Sequence, residues 1–273
     1  MAHFIRSTAR KSGTCKLTGA HGPFVKSHII PQALTRPAQP GLPFYQLRPD
    51  RPPVRRWSSW YDPALVVQAG EDILANYDAW AVSELRRRKL VWSGWGAQRS
   101  LGSEHYPIGP SPWGIRKIED IDGTRLRLFF LSLLWRAAAT TLPEFRSVRL
   151  PEADLQELRR RVLNADAGSP SFYPTQLTQL STLGVIHNHA PIAMIKPLPV
   201  LDREGAPPVE VPIFRFYFDG LIVHFDRRPA EHNDAAHLGN LVVDMDESFL
   251  VTTQTYEASF QSSQAVNVQV QAP

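Results

Sequence analysis

The chain of 273 residues holds a single cysteine, Cys15. One thiol excludes an internal disulfide and any zinc site built from several thiolates, and it is what a reducing compartment permits. No run approaches the ~18 apolar residues that a bilayer-spanning helix needs. The opening MAHFIRSTARKSG also lacks the continuous apolar core of a secretory signal. A cytoplasmic protein with no membrane attachment is the expectation. There is no Walker loop, no dinucleotide fingerprint and no Gly-x-Ser-x-Gly elbow, so the commonest nucleotide and hydrolase signatures are missing. Low hydrophobicity is not among the absences: 43% apolar and 21% charged residues are a globular balance, with ample length for a core.

Positive charge is in excess. Net charge is +4, and Arg48, Arg51, Arg55, Arg56, Arg86, Arg87, Arg88 and Lys89 cluster in the first hundred residues. A basic face of this kind neutralises phosphates, which makes DNA or RNA a candidate partner; the alternative is a solvated face that keeps the protein soluble.

Residues 1–14 read as a disordered basic arm. Prolines at 23, 31, 37, 40, 43, 49, 52 and 53 exclude helix between Gly19 and Pro53. From Gly70 to about Trp92, Ile73, Leu74, Tyr77, Ala81 and Leu85 recur at helical spacing, and the Arg/Lys-rich end suits the negative pole of a helix. The Gly/Pro/Ser-rich stretch 96–112 reads as linker or long loop. Residues 124–141 predict a helix apolar nearly all round, hence central, and Pro151 a third helix in which it takes the first turn. Beyond Asn164 the texture is β-rich. Asp219-Gly220 lies between two β-forming runs from Ile213 to Phe225, the strongest hairpin signal in the chain. Leu241–Val243, Phe249–Thr253 and Ala265–Val270 are further candidate strands. The class is α+β: a small N-terminal module over 15–95, then a body over 113–273 with a helical middle and a β-rich C-terminal part.

Chemistry concentrates in CKLTGAHGPFVKSHIIPQAL, Cys15 to Leu34. A cysteine-bearing turn, followed by a short strand ending Ser-His-Ile-Ile-Pro, resembles the opening of HNH-type nucleases of the ββα-metal fold. The resemblance extends to bacterial and phage proteins that pair such a string with a downstream helix and an apolar helix containing Leu-Trp-Arg, here Trp135 and Arg136. It implies an HNH-like ββα module over 15–95, with His28 as the general base that draws a proton from water while a divalent cation polarises the phosphate. It also implies a metal-dependent nuclease.

The sequence departs from that pattern. Thr18 stands where the partner of Cys15 would be, and no second cysteine pair follows, so no structural zinc is expected. For Mg2+ or Mn2+ the candidate ligands beside His28 are Asp62, Glu71 and Asp78, with Asn76 also available. Glu71 and Asp78 are seven residues apart on one helical face; the alternative is that they are surface acids contacting neighbouring arginines. Trp57, Trp60 and Tyr61, interleaved with Arg55 and Arg56 and joined by Lys26, are candidates to stack bases and pair phosphates, or to anchor the Pro-rich loop. His187 and His189 would face one side of an extended segment and bind a metal with Asp202, unless that segment is a self-bonded loop. His232, Asp234 and His237 read as solvent-facing.

Three functions remain open: a metal-dependent endonuclease; an HNH-derived protein that binds nucleic acid without cleaving it; and an interaction protein of phage–host conflict whose β-rich C-terminal part meets a protein partner.

Overall fold

In a computed structural model, which describes residues 11–35, 44–48, 51–198, 207–233 and 235–271, two short antiparallel strand pairs precede the first long helix. Strand β1 (Ser12–Thr14) pairs with β2 (His21–Pro23), so order begins before Cys15, not at it. Strand β3 (Ser27–His28) pairs with β6 (Tyr61–Asp62). Between them lie β4 (Phe44–Arg48) and β5 (Arg51–Arg56), which join the main sheet instead.

Helix α1 (Gln68–Arg87) buries Gly70, Leu74, Tyr77, Ala81, Val82 and Leu85, the 3.6-residue stripe expected of it, and carries Arg86 and Arg87 in its last turn. After β7 (Tyr106–Pro107) and β8 (Trp113–Ile118) comes α2 (Gly123–Ala139). The Asp122 carboxylate caps α2 by accepting from Arg125 N–H at 2.9 Å, and every residue from Leu126 to Ala137 is buried. A helix enclosed on all sides needs partners for its polar side chains. Arg127 finds them in the carbonyls of Ala167, Gly168, Ser169 and Phe172. Helix α3 (Glu152–Asn164) follows, with Pro151 one residue earlier than expected, at the N-cap.

The C-terminal part supplies β9 (Thr175–Leu180), β10 (His187–Leu198), β11 (Val209–Phe218), β12 (Leu221–Asp226), a one-turn α4 (Ala235–Leu238), β13 (Phe249–Gln254) and α5 (Phe260–Gln271). Asp219 and Gly220 both take positive φ, 50° and 80°, the type I′ geometry of a two-residue hairpin. A side chain at Gly220 would strike Trp92, its Cβ coming within 2.5 Å of that ring.

Nine strands form one mixed sheet in the order β5-β4-β10-β11-β12-β9-β13-β8-β7, with β4 parallel to β10 and β13 parallel to β9. Phe214, Phe216, Phe218, Val223, Phe225 and Val251 point to one face and merge with α1, α2 and α3 in the principal core. A second core on the opposite face joins Trp92, Trp95, Leu101, Tyr217, Ile222 and Tyr256.

The fold is thus α+β, with α1, α2 and α3 against one face of a large sheet. Strand β4, within the predicted N-terminal module, pairs with β10 of the β-rich part and carries β5 with it. Residues 96–112, read as linker, hold Leu101 buried and bond to the β9 end through Leu101 N–H to Ser181 O at 2.9 Å. Two expected strands are corrected. Leu241 ends a 3-10 turn, with Val242 and Val243 buried just beyond it, and Ala265–Val270 lies in α5, whose Ala265 belongs to the second core. Among the described residues no helix is long and apolar enough to cross a membrane. The arm residues 1–10, Asp202 and Asp234 lie outside the described residues.

Candidate functional site

The SHIIP string is built into the junction of the β3–β6 pair with α2. Ile29 N–H donates to Trp60 O at 3.1 Å, Ile29 and Ile30 are in the principal core, and Pro31 caps a 3-10 turn over Gln32–Leu34. His28 is half-buried. Its carbonyl accepts from Arg136 Nη1 at 3.1 Å, its ring meets Tyr61 edge-on with centroids 6.2 Å apart, and its Nε2 has no hydrogen-bond partner. Burial lowers its pKa first; Lys26 and Arg136 push the same way and Asp78 opposes them. The imidazole is held neutral, as a proton acceptor must be.

Arg136 organises the acids. Only 1% exposed, it grips Asp78 with both arms, Nη1 to Oδ2 at 2.9 Å and Nη2 to Oδ1 at 2.5 Å, and its Nη2 also donates to Ser132 Oγ at 2.9 Å. The fork-to-fork pair is the strongest geometry an Arg–carboxylate contact offers. Asp62 is equally committed: Oδ1 accepts from Ala64 N–H at 2.8 Å and Oδ2 from Thr140 Oγ1 at 2.6 Å. Glu71 is the exception. It is half-buried with Oε2 unpartnered, and burial raises its pKa, countered by Ser27 and Arg136.

The expected Mg2+ or Mn2+ set of His28, Asp62, Glu71 and Asp78 therefore does not fit a divalent ion as arranged. Two of its three carboxylates already have both oxygens engaged, and the cation beside them is Arg136. Among the described residues no group of three His, Cys, Asp or Glu side chains is placed to hold a metal ion.

At the knuckle, Cys15 Sγ accepts from Thr18 N–H at 3.4 Å, and a Cβ on Gly70 would lie 2.7 Å from that sulfur and 3.0 Å from Val66 Cβ. The first turn of α1 is thus packed directly on the cysteine turn. Gly70→Ala is expected to lower stability by about 1–3 kcal/mol through overpacking, read by urea unfolding. A variant as stable as wild type would mean that the thiol simply moves aside.

The basic and aromatic residues divide. Trp60 belongs to the core, 5% exposed and edge-on to Phe145 at 5.6 Å, so it is not available to stack a base. Trp57 is the opposite: at 69% it is among the most exposed large apolar residues, and it follows the exposed Arg55 and Arg56. A shallow pocket of about 410 Å³ runs from Arg55 and Trp57 to Tyr61, which is 41% exposed. Lys26 Nζ lies 4.0 Å above the Tyr61 ring, joining this surface to His28. The structure thereby brings together five of the predicted residues, Lys26, His28, Arg55, Trp57 and Tyr61, with Arg56 alongside.

Sequence reasoning passed over Arg136 as a site residue, although an arginine in the middle of LFFLSLLWRAAA is a signal in itself. It also left open whether the segment around His187 and His189 is a strand or a loop; it is the start of β10, with both rings buried. No family model matches the chain, and neither a curated protein nor a solved structure does.

Proposed function

We propose that this chain binds nucleic acid and that its HNH-like N-terminal region serves as a binding module without metal-dependent cleavage. The observation that carries the reading is the exposed Trp57 beside Arg55 and Arg56, continuous through Tyr61 with Lys26. Aromatic faces accept any base by stacking, and the two neighbouring arginines meet the backbone phosphates. The commitment of Asp78 to Arg136 and of Asp62 to Thr140 supports binding over catalysis. A flexible single strand suits a stacking platform better than a duplex does, because its bases are free to leave one another.

Fluorescence anisotropy with a labelled single-stranded oligonucleotide tests this. Trp57→Ala is expected to weaken binding by about 1–3 kcal/mol, and the Arg55→Ala/Arg56→Ala pair to flatten the salt dependence of log Kd by about two units. His28→Ala should leave affinity nearly unchanged. Affinity indifferent to Trp57 and to both arginines would sink the proposal.

The neutral, unpartnered Nε2 of His28 supports a second reading, a nuclease with His28 as general base. It requires that purified protein cut supercoiled DNA or RNA with Mg2+ or Mn2+ but not with EDTA, and that His28→Ala abolish the cleavage.

A further inference from the structure

The face of the sheet opposite α2 holds a group of polar side chains that the reading above does not use. Cross-strand register puts Arg215 on β11 opposite His224 on β12, and His224 opposite Gln176 on β9; one step along, Tyr217 faces His189 on β10. The His187 and Tyr217 rings stack at 4.9 Å. Phe260, opening α5, lies 5.0 Å from the Arg215 guanidinium and 5.8 Å from the His189 ring. Lys196 reaches over from the far half of β10 until its Nζ is 3.4 Å from Gln176 Oε1.

The group is short of acceptors. Arg215 is 7% exposed, its guanidinium packs over the Phe260 ring, and among the described residues that side chain has no hydrogen bond or ion pair. The carboxylate facing Lys196 is Asp226, and it is already paired with Arg228 at 2.6 Å. His187 Nε2, His189 Nε2, both ring nitrogens of His224 and the Tyr217 hydroxyl are buried without partners. Buried polar atoms in folded proteins are nearly always bonded, and an enclosed guanidinium without a counter-charge is costly. These unpartnered groups lie around two cations, Arg215 and Lys196. Since Arg215 and Lys196 can only donate, a ligand that suits them is rich in acceptors, and two cations match a dianion.

We propose that Arg215, Lys196 and His224 form a receptor for the phosphate group of a small phosphate-bearing molecule, on the face of the sheet where Phe260 packs over Arg215. A planar guanidinium fork meets two phosphate oxygens at once, Lys196 adds a point charge, and Gln176 and His224 offer further hydrogen bonds. The inference is independent of the nucleic-acid reading, because it rests on other residues on a different part of the sheet.

The test is calorimetric titration of the full chain, at constant ionic strength in chloride, with inorganic phosphate, adenosine 5′-monophosphate and adenosine. Saturable binding of either phosphate compound, with none for adenosine, is the expected result; tighter binding of the monophosphate assigns the phosphate to a larger molecule, and equal binding assigns it to the free ion. Lys196→Gln keeps much of the length and hydrogen-bonding capacity of a partly buried side chain and should fold normally. It should weaken binding about tenfold, the scale of one lost charge-assisted contact, and Arg215→Gln more. No binding to wild type, or binding that both variants retain in full, would overturn the proposal.

Discussion

Replacing Asp78 with alanine is expected to destabilise the protein by about 3–5 kcal/mol, because it strands the buried guanidinium of Arg136 without its counter-charge. Arg136 has no escape to water: it is 1% exposed and fixed by Ser132 and the His28 carbonyl as well. The double variant Asp78→Leu/Arg136→Met removes the charge together with its partner and should recover most of the loss. Urea unfolding of the three proteins, with and without Mg2+, checks this. If Asp78→Ala cost less than about 1 kcal/mol and Mg2+ stabilised only the wild type, Asp78 would be acting as a metal ligand and the ion pair would be incidental.

Acid is expected to destabilise this protein by forcing charge onto its buried histidines. Burial drives the pKa of His187 and of His189 from 6.5 down to about 4, against backbone hydrogen bonds that favour the charged forms. His224, also buried, moves the same way. Since the folded state holds these imidazoles neutral, the unfolded chain binds more protons below pH 6.5. The stability is therefore complete above about 6.5, declines as pH falls, and reaches its floor near 4. Each of the two shifts corresponds to about 3 kcal/mol, and together they rival the net stability of an ordinary domain. Melting temperature measured from pH 8 to 4 should fall steeply through that window. His187→Asn keeps a donor toward the Val185 carbonyl and should make the decline shallower; an unchanged profile would assign acid sensitivity to other groups.

The elements with a strong local signal were legible. Helix α2 is apolar on every side and is central; Asp219-Gly220 demands positive φ and makes the hairpin; the α1 stripe lies where its spacing put it. What the sequence did not disclose is long-range pairing. Nothing in FYQLR indicates a partner near residue 188, and parallel pairing carries no turn signature to betray it. The tail AVNVQV alternates like a strand, but it is helical, and its first residue, Ala265, sits in the second core. At the candidate site, His28 and the exposed basic face were readable as residue types. Their meaning depended on Arg136, which comes from more than a hundred positions away and takes the carboxylate that spacing alone made available.

The position of β13 also governs the order in which the molecule can be completed. Phe249–Gln254 lies between Trp113–Ile118 and Thr175–Leu180, bonded to both. A nascent chain that has emerged only as far as residue 248 still holds its sheet in two separate pieces, each with a raw edge open to the wrong strand. Closure of the sheet waits until Phe249–Gln254 has been made, however early the strands on either side of it are ready.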